Sequence, residues 1–146
     1  MSNIKGNGAH QPTGTARILV VEDELLVGLD IACMLEERGY EVVDVVDSGA
    51  RALDTAARER PDLVLMDITI RGTMDGVQTA QAIHDRSGDV PVVFVTSYTE
   101  GPLRERAEAT HPAGYVTKPF SPPELERAVR RALCRCHGTC TTPEPA

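Results

Sequence analysis

The sequence predicts an α/β fold: an open parallel sheet, doubly wound, with helices on both faces. Two observations predict it. Short apolar runs rich in β-branched residues recur along the chain, and each stops abruptly at polar or charged residues. Between these runs lie stretches of helical periodicity, several closed by Gly or Pro. A strand–helix alternation repeated five times implies parallel strands joined by crossover helices.

Each element has a local reason. Residues 18–21 (Ile-Leu-Val-Val) read as a strand buried on both faces, ending at Glu22-Asp23-Glu24. Residues 25–38 are Leu-rich and helical, with Gly39 as the stop. Residues 41–46 form a second strand. Ser48 caps a helix that runs to about Arg60, before Pro61. Residues 63–66 are a third buried strand, ending at Asp67. Asp75 can cap a helix over 76–86, and 92–95 form a fourth strand ending at Thr96-Ser97. Residues 102–110 read as a short helix, and Tyr115-Val116 as a short fifth strand ending at Lys118-Pro119. Ser121, Pro122 and Glu124 carry the start signals of a last helix. At ~100° per residue, Leu125, Ala128, Val129, Ala132, Leu133 and Cys136 share one side of it. Arg127, Arg130, Arg131 and Arg135 share the other.

Composition narrows the function. The 146 residues suffice for one ordinary domain, expected over 17–137, with 1–16 and 138–146 as flexible tails. Three Tyr, two Phe and no Trp leave Val, Ile, Leu and Ala to build the core. A net charge of −7 argues against binding bare nucleic acid or an anionic membrane. No apolar run approaches the ~20 residues of a membrane span, and the first residues lack the pattern of a signal peptide. A cytoplasmic protein with its four Cys reduced is therefore expected. Cys33 reads as a small core residue. Cys134, Cys136, His137 and Cys140 lack the spacing of a metal motif, and Cys134 and Cys136 fall on different helix faces.

In an open parallel sheet, ligands bind beyond the carboxyl ends of the strands. Here those ends carry Glu22, Asp23 and Glu24, then Asp67, then Thr96 and Ser97, then Lys118. If they converge, the crowded carboxylates need a cation, and an all-oxygen set favours Mg²⁺ or Mn²⁺. A Lys and a hydroxyl opposite such a group supply donors for a phosphoryl group. One carboxylate can then act as nucleophile and form an aspartyl phosphate. Asp67, alone at the end of the most apolar strand, is the best placed to do so.

The segments I-L-V-V-E-D-E (18–24), P-D-L-V-L-M-D (61–67), P-V-V-F-V-T-S (91–97) and Y-V-T-K-P-F (115–120), in this order and spacing, resemble the receiver domain of two-component response regulators, here of the stand-alone type. The resemblance implies a flavodoxin-like (βα)5 sheet of order 2-1-3-4-5. It implies that Asp67 accepts a phosphoryl group from a phosphohistidine on a sensor histidine kinase or phosphotransfer protein. Glu22, Asp23, Asp67 and the Thr69 backbone carbonyl would hold Mg²⁺. Lys118 would pair with the phosphoryl oxygens and Thr96 would turn its hydroxyl onto them. Tyr115 would follow, reshaping the face of the fourth helix, fifth strand and fifth helix for a downstream protein or a second copy. Lys118-Pro119 would be a cis peptide.

Some positions depart from the family pattern. Many receivers have a Pro near Arg71 and a loop one residue shorter before the Asp75-Gly76 pair. Thr69 and Tyr98, two residues beyond Asp67 and Thr96, flank the path of the hydrolytic water in the family. Their bulk and lack of charge imply a long-lived phosphorylated state. The Arg stripe of the last helix reads as a solvated face or as a contact for an acidic partner or a symmetry mate. Other readings are a receiver piece of a longer protein, an Asp-nucleophile phosphohydrolase, a flavodoxin-like electron carrier and a receiver that is never phosphorylated. Thr69 stands where the phosphohydrolase would have a second Asp, and Glu22-Asp23-Glu24 where the electron carrier would need a phosphate-cradling loop.

Overall fold

The computed structural model describes residues 15–97 and 101–137, with side chains through Cys134. Strands and helices alternate throughout: β1 (Arg17–Val21), α1 (Leu25–Glu37), β2 (Glu41–Val46), α2 (Gly49–Glu59), β3 (Leu63–Asp67), α3 (Gly76–Ser87), β4 (Val92–Thr96), α4 (Pro102–Glu108), β5 (Gly114–Thr117) and α5 (Pro122–His137). The strands are parallel, in the order β2-β1-β3-β4-β5. This is the flavodoxin-like sheet implied by the sequence.

Strand periodicity explains the layers. Alternate residues of a strand face opposite sides. Leu19, Val21, Val64, Met66 and Phe94 face α2, α3 and α4, meeting Ala52, Ala56, Val77, Ala80, Ile83 and Ala107. Ile18, Val20, Leu63, Leu65, Val93 and Val95 face α1 and α5, meeting Ile31, Leu35, Leu125, Val129 and Ala132. Every residue of β3 and β4 is buried, which is why those runs carry no polar alternation before their last residue.

The expected caps form. The Ser48 hydroxyl accepts from Arg51 N–H. Asp75 and Gln78 make a reciprocal capping box on α3, and Ser121 and Glu124 do the same on α5. Arg60 closes α2 in the left-handed conformation, φ 49°, just before Pro61.

Several expectations need correction. The first strand starts one residue earlier than the expected 18–21: Arg17 belongs to β1, and the Ala16 carbonyl before it accepts from Glu41 N–H at 2.9 Å. α1 and α4 stop at Glu37 and Glu108, short of Arg38 and Thr110. Cys33 is exposed, with Sγ 3.7 Å from a Glu37 carboxylate oxygen, because α1 buries the stripe Gly28, Ile31, Ala32 and Leu35 instead. Cys134 is in a disulfide and not reduced, its partner outside the residues whose side chains are described. The Arg stripe divides. Arg127 and Arg131 are exposed, but Arg130 is half-buried and paired to Glu126, which also accepts from the Tyr40 hydroxyl. The side chains of Arg135, Cys136 and His137, and all of Cys140, lie outside the description, as do residues 1–14 and 138–146.

Two glycines permit close approaches. A Cβ on Gly76 would stand 2.1 Å from the Asp67 carbonyl oxygen and 2.7 Å from Ile68 Cα. A Cβ on Gly28 would meet only the end of the Val45 side chain at 2.7 Å, with Glu22 Cβ at 3.5 Å. Backbone cannot yield as a side chain can. Gly76→Ala is therefore expected to destabilise by about 1–3 kcal/mol or more, and Gly28→Ala by less. Urea unfolding of the two variants measures the difference.

Candidate functional site

Register brings the strand ends together. Val21 pairs with Met66, Asp67 with Val95 and Thr96 with Thr117. The residues just beyond β1 and β5 therefore flank the last residues of β3 and β4. Glu22 N–H donates to the Val46 carbonyl at 2.9 Å, and Lys118 N–H donates to the Thr96 carbonyl at 2.8 Å. Both side chains are thus held at the rim, and the Lys118-Pro119 peptide is cis.

Carboxylate oxygens of Glu22, Asp23 and Asp67 lie within 4.8 Å of one another. Glu22 is 2% exposed and Asp67 5%. Lys118 Nζ lies 3.3 Å from Glu22 Oε1 and 3.5 Å from Asp67 Oδ2. The other oxygen of Asp67 accepts from Thr69 N–H at 3.0 Å and Thr69 Oγ1 at 3.2 Å. Thr96 is buried at the end of β4, next to β3.

The electrostatics follow from this crowding. Burial, and then the negative charge of Asp67, push the Glu22 carboxyl from its ordinary 4.5 up to about 7. Burial pulls the Lys118 ammonium down, but the attraction of Asp67 and Glu22 outweighs it, so Lys118 sits above its ordinary value. Three all-oxygen ligands, two of them buried, with one ammonium against two of them leave negative charge uncompensated. That donor set suits a hard divalent cation such as Mg²⁺ or Mn²⁺.

The geometry thus gathers Glu22, Asp23, Asp67, Thr69 and Lys118 at one rim, with Thr96 at the neighbouring strand end. Tyr115 sits elsewhere. Its ring centre is 6.0 Å from that of Phe94, and the Arg104 guanidinium lies 3.6 Å above it. Tyr98 lies outside the described residues.

The response regulator receiver domain family matches residues 18–130 of this chain. The chain belongs to this family. Receiver domains are signalling modules of two-component phosphorelays. The receiver is 37% identical over 119 residues to the transcriptional regulatory protein PdtaR of Mycobacterium tuberculosis, covering 82% of this chain and 57% of that one. It is 34% identical over 119 residues to the phyllosphere-induced regulator PhyR of Methylorubrum extorquens, covering 80% and 43%. The chain thus spans about half the length of the curated relatives it matches. Among solved structures, the signal receiver domain of a modulated diguanylate cyclase from Desulfovibrio desulfuricans matches with a TM-score of 0.78 and 34% identity, over 84% of this chain and 96% of that one. The receiver domain of a sensor histidine kinase from Pseudomonas aeruginosa, solved with magnesium coordinated in its active-site cleft, matches at 0.75 and 30%, over 82% and 98%. No helix among the described residues is long and apolar enough to cross a membrane.

Two features of this receiver's rim escaped the sequence reading. Arg71 was noted only as a departure, yet its N–H and Nε lie 3.2 and 3.3 Å from Asp23 Oδ2. Leu25, Leu26 and Leu29 of α1 are exposed by 63%, 81% and 49%, directly after the acidic triplet. The signal was present: residues 25–29 are Leu-Leu-Val-Gly-Leu, a run too long to fit on one helix face.

The Glu22 proton gives a pH test. The folded receiver binds this proton more tightly than the unfolded chain does. The stabilisation is fully present below pH 4.5 and is lost as pH rises through about 7. In a chelator, the urea midpoint of the native receiver should fall between these values relative to Glu22→Gln. Added Mg²⁺ should restore stability above pH 7 and do little near pH 5. Parallel midpoints for the two proteins across this range would contradict the assignment.

Proposed function

We propose that this receiver is a phosphoacceptor of a two-component relay, acting in the cytoplasm, with Asp67 as the phosphorylated residue. The observation that carries the reading is the meeting of Asp67 with Glu22, Asp23 and Lys118 at one rim. An Asp67 carboxylate oxygen bonds to phosphorus as the phosphorus–nitrogen bond of a donor phosphohistidine breaks, and the departing imidazole nitrogen takes a proton. Glu22, Asp23 and Asp67, with the backbone carbonyl of Thr69, would hold Mg²⁺, which when bound neutralises charge on the phosphoryl oxygens. Lys118 pairs with one of those oxygens and Thr96 donates its hydroxyl to another. Tyr115 then carries the change to the face of α4, β5 and α5, where a downstream protein or a second copy reads it.

A phosphohydrolase acting on outside substrates is disfavoured. The residue two beyond Asp67 is Thr69, which donates to the nucleophile and has no carboxyl group to serve as acid or base.

The donor docks, on this reading, over the exposed leucines of α1. A phosphohistidine protein must cover the rim to reach Asp67, and α1 opens one residue after Glu24 with Leu25 and Leu26 in water.

Acetyl phosphate and Mg²⁺ followed by intact mass tests the acceptor. One phosphoryl group should be gained, and lost in Asp67→Ala or with chelator; an unchanged gain in Asp67→Ala would remove Asp67 from its role. Leu26→Asp should slow transfer from a phosphorylated donor protein about ten-fold and leave the acetyl phosphate rate alone. Equal slowing of both would point to damage at the site rather than to docking.

A further inference from the structure

α4 has a slight apolar footing. Of its seven residues Ala107 is buried, and Leu103 packs partly buried against the core. Much of its remaining hold comes from two arginines. Residues two apart on a helix point ~200° from one another, so Arg104 and Arg106 reach to opposite flanks. Arg106 grips the Asp75 carboxylate, Nη1 to Oδ2 at 3.0 Å and Nη2 to Oδ1 at 3.4 Å. Asp75 caps α3, and the next residue, Gly76, donates its N–H to the carbonyl of Ile68, the neighbour of Asp67. On the other flank the Arg104 guanidinium lies 3.6 Å over the Tyr115 ring, with Nε 3.4 Å from Glu108 Oε2.

The Tyr115 hydroxyl is shielded from water and, among the described residues, has no partner in good hydrogen-bonding geometry, although the Arg104 guanidinium is near enough to act on it. A buried hydroxyl without a well-formed hydrogen bond gains one by turning out to solvent. What opposes that turn is the contact with Phe94 and the guanidinium stacked on the ring, attracted by its π electrons.

We propose that Arg104 is a positioning residue that holds the Tyr115 ring inward, while Arg106 and Asp75 tie the same helix to the end of the loop that follows Asp67. This rests on the receiver reading above and deepens it, naming the residue that sets the balance of the response face before phosphorylation. α4 and Tyr115 then move as one unit: loss of the stack frees the ring, and loss of the Asp75 tie loosens the helix beneath it.

Fluorine NMR of the full chain labelled with 3-fluorotyrosine tests the proposal. The chain has three tyrosines, and Tyr115→Phe identifies the signal. Without any phosphodonor, Arg104→Gln should move the Tyr115 resonance toward its solvent-exposed position, with the inward-to-outward ratio falling about five-fold. Arg104→Lys, which keeps the charge and loses the plane, should give a smaller shift, as should Arg106→Gln. Arg127→Gln, on the exposed side of α5, should leave the signal in place. Far-UV circular dichroism and urea midpoints establish that each variant is folded. A Tyr115 signal unmoved in folded Arg104→Gln overturns the positioning role, and one unmoved in Arg106→Gln overturns the tie to Asp75. Because no phosphodonor is used, these outcomes are independent of the mass test. A shifted signal with no phosphoryl gain would sink the acceptor reading alone, and the converse would sink this one alone.

Discussion

Mutual repulsion among three carboxylates is the constraint around which the rest of this structure is arranged. β1 and β3 are neighbours buried on both faces, so the residues at and just past their ends have little freedom to splay apart. Glu22 and Asp67 are thereby pressed together where water screens them poorly. A Glu raised to about 7 and a lysine held above its ordinary value are two signs of the same stress. Under the proposed function that stress has a use, since a cation and an incoming anion would relieve it.

Much of this was legible in the primary structure, for a physical reason. A strand buried on both faces leaves no place for a charge except at its end, so Asp67 after Leu-Val-Leu-Met and the acidic triplet after Ile-Leu-Val-Val stood out by position alone. Caps were legible because Ser48, Asp75 and Ser121 act on backbone within three residues. Contacts between residues distant in sequence were not. Nothing local says that Arg106 finds Asp75, that Arg104 lies over Tyr115, or that the Tyr40 hydroxyl reaches Glu126 on α5. Cys33 was misplaced for a related cause: α1 carries more apolar residues than its buried stripe can hold, and hydrophobicity alone does not say which are left outside.

The helices are also unequally anchored. α5 inserts Leu125, Val129 and Ala132 into the core, while α4 inserts Ala107. Elements with few buried apolar contacts open at the lowest free energy. α4 thus belongs to the most easily displaced part of the fold, and it is the part that touches Tyr115.

The alternation of side chains along the strands separates the interior into two compartments. Leu19 and Met66 serve α2, α3 and α4; Val20 and Leu65, their chain neighbours, serve α1 and α5. The helix bearing the exposed leucines and the helix stacked on Tyr115 therefore draw their support from opposite sides of a common wall. A substitution beneath α1 is thus out of contact with the residues beneath α4, and the packing of these two helices can be altered separately.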